Sequence, residues 1–147
     1  MDAGDEEERL GRLFLRLAKT AHKLQAHTVG DLGLTPAQAR ALSMLGRCQA
    51  PPRMAELAER LHVVPRAVTP VVDALEEAGL VRRRIDPGNR RSTLVELTAD
   101  GTEMCRRVAE HRGRVAGELF APLTDAQRRT LLELLDKVDQ AQTVPSR

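Results

Sequence analysis

Leu10, Phe14, Leu17, Ala21 and Leu24 recur at steps of four, three, four and three residues, the spacing of one apolar face of an α-helix. The pattern predicts a long first helix over residues 5–29, ended by Gly30 and Gly33. Thr35 then offers an N-cap with Pro36 at the first helical position, opening a short helix that runs to residue 47. Pro51 and Pro52 break the chain again. Met54, Leu57, Ala58 and Leu61 share one face of the next short helix, over residues 54–61. Pro65 starts another, with Val68, Val71, Val72 and Leu75 facing inward and Gly79 suited to the position just past its end. Two short helices separated by a tight turn, the second polar and basic at its start, read as a helix-turn-helix.

After residue 80 the period changes. Val81, Arg83 and Ile85 alternate with Arg82 and Arg84, and Leu94, Val95 and Leu97 supply a second β-prone run. The segment Asp86-Pro87-Gly88-Asn89 between them is a hairpin-turn signal, predicting strands at 80–85 and 90–97. A hairpin placed directly after a helix-turn-helix makes a wing. Thr98 then offers an N-cap with Asp100 in the first turn, and Met104, Val108, Val115 and Leu119 mark a long helix to residue 120. Pro122 interrupts, Thr124 caps, and Leu131, Leu134, Leu135 and Val138 define a terminal helix.

The fold class is therefore mainly α: a winged helix-turn-helix with a two-stranded β wing and flanking dimerisation helices. The expected organisation is a dimerisation helix at 1–34, a DNA-binding domain at 35–98 and C-terminal dimerisation helices at 99–147. The end helices have apolar faces that a winged helix does not itself require. Dimerisation explains them best; folding back as a monomeric bundle is the other reading. A dimer presents its two recognition helices ~34 Å apart, one DNA turn, to a palindromic site.

Composition sharpens this picture. A hydrophobic fraction of 41% in 147 residues suffices for a packed core. With Phe14 and Phe120 as its only aromatics, that core must be built of Leu, Val and Ala. The net charge of +2 says little about nucleic acid, but its distribution says more. Residues 40–91 hold ten arginines against six carboxylates, whereas the first ten residues set Asp2, Asp5, Glu6, Glu7 and Glu8 against Arg9. A basic middle is the electrostatic footprint of a DNA-binding module. An arginine-rich, alanine-rich chain also follows from a GC-rich genome, so arginine content alone is not function.

Other chemistry is thin. Cys48 and Cys105 show no CxxC spacing, so neither a zinc ribbon nor a disulfide framework is expected. His22, His27, His62 and His111 form no metal-ligand motif. No nucleophile–base motif and no phosphate-cradling glycine loop points to an enzyme, and no cofactor is expected. The acidic start is unlike a signal peptide, and no apolar run approaches the ~18 residues of a membrane span. A cytoplasmic protein is the expectation.

The runs MAELAERL at 54–61, VTPVVDALEEAGLV at 68–81, RRRI at 82–85 and DPGNRR at 86–91, followed by Leu97, Thr98 and Gly101, together resemble the multiple-antibiotic-resistance-regulator (MarR) family. The resemblance spans essentially the whole chain and is strongest over 54–101. It implies an obligate dimer that binds double-stranded DNA and is regulated by a small ligand or an oxidant that alters the spacing of two DNA-binding lobes. Members of the family usually act as repressors.

The helix over residues 65–78 should enter the major groove by its first turns. Arg66 is the expected base reader or phosphate anchor, with Ala67 and Thr69 beside it; the plainer alternative is an exposed arginine at a helix start. Pro70 departs from the family, whose members often carry arginine there, and it removes the backbone bond to the Arg66 carbonyl. The resemblance places Arg91 in the minor groove and Arg90 near phosphate. Asn89 stands where the family usually has Asp, losing charge assistance to the wing-tip arginine. Arg82, Arg83 and Arg84 cannot all face DNA, because alternate strand residues point to opposite sides. Arg82 and Arg84 are expected as phosphate contacts or wing supports; Asp73, Glu76 and Glu77 as solvent-facing or paired with wing arginines.

The family's ligand pocket, between the first helix and the DNA-binding lobe, would place His22 with Arg16 and Met44 around a small aromatic or phenolic acid; a partly buried interface histidine is the alternative. A winged-helix protein-interaction module is the rival function, but it needs no basic wing tip such as Arg90 and Arg91. Peroxide-sensing relatives keep their reactive cysteine in the first long helix, and this chain has none there. Mild peroxide should therefore leave DNA affinity unchanged in an electrophoretic mobility assay; a loss reversed by reductant would contradict this.

Overall fold

The computed structural model describes residues 2–143. Eight elements follow in chain order: α1 (Ala3–Gly30), α2 (Pro36–Arg47), α3 (Met54–Arg60), α4 (Pro65–Glu77), β1 (Val81–Asp86), β2 (Asn89–Leu97), α5 (Ala99–Leu119) and α6 (Asp125–Thr143). This is the expected mainly α architecture, with α3 and α4 as the helix-turn-helix and the antiparallel β1–β2 hairpin as the wing.

Local chemistry sets most of the helix starts. The Asp2 carboxylate accepts from the Ala3 N–H at 2.8 Å to begin α1. At α2, Thr35 Oγ1 accepts from the Gln38 N–H at 3.2 Å while Gln38 Oε1 accepts from the Thr35 N–H at 3.1 Å, a reciprocal capping box. Thr124 and Gln127 repeat that arrangement at α6. In contrast, α3 and α4 begin at Arg53 and Val64 with no side-chain cap. For α4 the fixed φ of Pro65 does the starting, and the Ala67 N–H closes the first turn onto the Val64 carbonyl at 2.9 Å.

The turn between α3 and α4 is carried by His62, whose φ of 55° is the only positive value at a non-glycine among the described residues. Its N–H donates to the Glu59 carbonyl and the Val63 N–H to the Ala58 carbonyl, both at 3.1 Å, the two bonds of a Schellman ending. Val68, Val72 and Leu75 of α4 then meet Leu42 of α2, Leu57 of α3, Val81 and Val95 of the hairpin and Val108 of α5 in one fully buried aliphatic core. No aromatic ring takes part in it.

The wing is anchored to this core from two sides. The Val95 N–H donates to the Pro52 carbonyl at 2.9 Å, and Arg53 pairs with Leu94 as an isolated bridge. The Pro51-Pro52 segment thus both breaks the chain and lends the wing a short third edge; proline cannot donate to a ladder but can accept from one. On the other side, α5 is fastened to the junction of α4 and β1. Thr98 Oγ1 accepts from the Gly101 N–H at 3.0 Å and donates to the Gly79 carbonyl at 2.6 Å. The Thr98 N–H donates to the Leu80 carbonyl at 3.0 Å. Gly79, at φ 75°, ends α4 as expected of a glycine in that position.

That seam leaves no room for a side chain at Gly101. A Cβ there would sit 1.9 Å from the Leu80 carbonyl oxygen and 2.9 Å from its carbon. Gly101→Ala should therefore destabilise the fold by about 3 kcal/mol or more, at the upper end of overpacking costs. Gly113→Ala on the same helix, where a Cβ meets open space, should be neutral or stabilising. Thermal unfolding followed by circular dichroism checks both.

Candidate nucleic-acid interface

The start of α4 is solvent-facing as a block. Pro65, Arg66, Ala67, Thr69 and Pro70 are all exposed, while Val68 and Val72 turn inward. The helical period makes this division: residues 68, 72 and 75 share the buried stripe, leaving 66, 69 and 70 on the opposite side. The helix runs unbroken through Pro70, which sits on the solvent side. The exposed Arg66 faces no carboxylate within 4.0 Å among the described residues.

Further along α4 the charge reverses. Asp73 and Glu76 would repel phosphate, but both are engaged by Arg83 of β1. Glu76 binds twice, accepting from Arg83 Nη1 at 3.0 Å and from the Arg83 backbone N–H at 2.8 Å. Burial works to lower the Arg83 pKa, but the hydrogen bonds and charges of Asp73 and Glu76 outweigh it and hold the guanidinium above its ordinary value. The pairing offsets one of the two charges and ties this end of the helix to the wing, while Glu77 beside it has no ion pair among the described residues.

On the opposite face of β1, Arg82 and Arg84 both reach Glu96 of β2, Arg84 Nε at 3.2 Å. The strand alternation that separates them from Arg83 also brings them together over one carboxylate. Asp86 closes the base of the turn: Oδ1 accepts from the Gly88 N–H at 2.9 Å and Oδ2 from Arg53 Nε at 3.0 Å. The Gly88 hydrogen bond, then Arg53, keep its carboxyl below the ordinary aspartate value.

The wing tip differs from its base. The register passes from Ile85 opposite Thr93 directly to Asp86 opposite Asn89, so Arg90, Arg91 and Ser92 face no residue of β1. Such a bulge re-aims side chains away from the sheet. Arg90 and Arg91 are exposed and have no carboxylate partner among the described residues. Asn89 Oδ1 accepts from the Arg91 backbone N–H at 3.2 Å, so it steadies the main chain at the tip rather than the guanidinium.

The three residues expected around a ligand do not come together. His22 lines a small cavity of about 40 Å³ between α1, α2 and α5 with Val29, Ala39, Arg40 and Arg112. Arg16 and Met44 are not in its wall. Arg16 lies six residues from His22, which on a 3.6-residue helix turns it about 120° away, and Met44 packs against the core. The residue sequence reasoning missed is Arg112. It is half-buried, and burial together with the charge of Arg47 lowers its pKa below the ordinary arginine value. Its signal was present: it interrupts the apolar stripe of Val108 and Val115 on α5.

The cysteines lie apart from the wing tip. Cys105 Sγ donates to the Leu42 carbonyl at 3.2 Å, and burial pushes its thiol up. Cys48 Sγ donates to the Met44 carbonyl at 3.2 Å and accepts from Arg60 Nη1 at 3.4 Å. Among the described residues there is no cluster of groups able to hold a metal ion, and no helix long and apolar enough to cross a membrane.

The MarR family model matches residues 34–93, from the start of α2 to the bulge of the wing. The multiple antibiotic resistance protein MarR of Escherichia coli is 33% identical over 130 residues, 88% of this chain and 90% of that protein. An HTH-type transcriptional repressor of Mycobacterium tuberculosis is 32% identical over 130 residues, 88% of this chain and 92% of its own length. Among solved structures, wild-type apo MarR from E. coli superposes with a TM-score of 0.79 at 33% identity, covering 88% of this chain and 95% of that one. A cysteine-to-serine MarR variant from E. coli, complexed with operator DNA, gives 0.73 at 32% identity and covers 94% and 99%. The chain belongs to the MarR family of winged helix-turn-helix, DNA-binding transcriptional regulators.

Proposed function

We propose that the protein is a cytoplasmic homodimeric repressor that binds a palindromic operator and responds to a small ligand. The observation that carries the DNA contact is the sorting of arginines by partner. Arg82, Arg83 and Arg84 are spent on Glu96, Asp73 and Glu76. Arg66 at the start of α4 and Arg90 and Arg91 on the wing bulge remain exposed and unpaired among the described residues. In this reading Pro65, Arg66, Ala67, Thr69 and Pro70 face the major groove, with Pro70 offering apolar contact where an arginine would offer hydrogen bonds. Arg91 enters the minor groove, Arg90 meets phosphate, and Asn89 shapes the tip. Arg82 and Arg84 hold the wing through Glu96 and turn their remaining donors toward the backbone.

Dimerisation is supported by what the single chain leaves uncovered. On α1, Leu10 is 69% and Phe14 60% exposed; on α6, Leu134 and Val138 are 57% and 60% exposed. An apolar groove of about 590 Å³ runs between Leu17 of α1 and Phe120, Leu123, Leu131 and Leu134. A contiguous surface of this kind marks an interaction site rather than a solvated face. In the proposed domain division, residues 1–34 and 99–147 pair across the dimer, and residues 35–98 carry the DNA contact.

Ligand response is supported by Arg112 and His22. A half-buried guanidinium beside Arg47 favours an anionic group, as in a small aromatic or phenolic acid. The cavity of about 40 Å³ has room for little more than one water, whose share of liquid volume is about 30 Å³. A ligand must therefore shift α1 against α2 and α5 to enter, and that movement alters the lobe spacing.

Replacing Arg91 with Ala should weaken operator binding by roughly 1–3 kcal/mol and flatten the dependence of affinity on salt, with Arg12→Ala near neutral, as read by fluorescence anisotropy. An unchanged affinity and slope would remove the wing from the interface. Phe14→Glu combined with Leu134→Glu should convert the dimer to a monomer in light scattering after gel filtration. A wild-type protein already monomeric at micromolar concentration would refute the dimer.

A further inference from the structure

A second, larger hollow lies on the wing side of the helix-turn-helix. It is a cleft of about 820 Å³ between the α2–α3 loop, α3 and the base of the wing. Its size falls in the range of small-molecule sites, about 300–1,000 Å³. Four arginines line it, Arg47, Arg53, Arg60 and Arg84, against two acidic residues, Glu56 and Asp86. Nothing in the proposed DNA contact uses Arg47 or Arg60.

The partners of these groups divide them. Arg53 is held by Asp86 at 3.0 Å and Arg84 by Glu96 at 3.2 Å. Arg60 lies one helical turn from Glu56 and forms no ion pair with it; its hydrogen bond goes to Cys48 Sγ at 3.4 Å, a weak acceptor. Arg47 is close enough to Arg112 to lower the latter's pKa by repulsion. Among the described residues neither Arg47 nor Arg60 has a carboxylate within 4.0 Å. With Arg53 and Arg84 so paired, the cleft sets the cations of Arg47 and Arg60 against the single unpaired carboxylate of Glu56 and keeps a net positive charge.

We propose that this cleft is an oxyanion site, taking a phosphate-type dianion between Arg47 and Arg60. A guanidinium offers a planar fork of donors that matches phosphate or carboxylate oxygens, and the lining is more polar than apolar, which suits a compact, strongly charged ligand over a greasy one. Because Arg84 and Asp86 of the wing form the far wall, an occupant ties the wing to the α2–α3 loop. The phosphate can come from a soluble phosphorylated metabolite or from the operator backbone; the chemistry at the two arginines is the same.

The test uses the full-length protein and inorganic phosphate as the probe, titrated against chloride at constant ionic strength. Arginine Nε–Hε and backbone amide signals are followed by ¹⁵N NMR. Saturable shifts confined to the cleft are expected, with affinity falling at least tenfold in Arg47→Gln and in Arg60→Gln and unchanged in the surface control Arg107→Gln. Shifts that do not saturate, or that persist in both variants, overturn the site. A second arm, which rests on the DNA-binding reading, measures operator affinity against salt for the same variants. An unchanged salt slope assigns the cleft to a soluble ligand; a slope reduced by about one unit per arginine assigns it to a backbone phosphate. Failure to bind DNA at all leaves the phosphate arm standing, so the two readings fail separately.

Discussion

Three elements meet at the Leu80 carbonyl, and the rest of the molecule is built outward from that contact. Glycine at 79 ends α4 in a left-handed residue, β1 departs at Val81, and α5 presses its first turn onto the same peptide through Thr98 and Gly101. One threonine hydroxyl joins the Gly79 carbonyl, just past α4, to the Gly101 N–H in the first turn of α5. The close approach is possible because residue 101 has no side chain. The fourth helix, the wing and the long α5 are thereby fastened to one another at a single peptide.

Ion pairing then decides which charges remain available. Asp73 and Glu76 on α4 would oppose DNA if left alone, and Arg83 offsets one of their two charges from β1. Glu96 does the converse for Arg82 and Arg84. These are exposed or half-exposed pairs, each worth at most about 1 kcal/mol to stability, so their consequence is orientation more than strength. What they leave over is a basic helix start and a basic wing tip, the two places a winged helix offers to the grooves of DNA. The bulge at 90–92 gives the tip its projection.

Much of this was legible in the sequence because periodicity and turn chemistry agreed. The α2 capping box, the Pro65 start, the Gly79 ending and the Thr98 cap are local signals, and each element formed where its signal lay. What escaped was long-range. The use of the Pro52 carbonyl as a ladder acceptor needs β2 beside it, and no local rule brings them together. Arg16 and Met44 are not in the wall of the cavity that His22 lines, because of the rotation along α1 and the packing of Met44 against the core. Arg112 was overlooked as one more arginine in an arginine-rich chain, although its place in the apolar stripe of α5 set it apart.

The exposed basic helix start and wing tip are proposed to read a specific duplex. The most direct measurement is a fluorescence-anisotropy titration of the protein with duplexes from the intergenic region beside its own coding sequence, with a scrambled duplex alongside, repeated over a salt series. Tight binding to one duplex at one dimer per palindrome, with affinity falling steeply with salt, is the predicted result. Equal and weak binding to both duplexes, with little response to salt, would contradict the account.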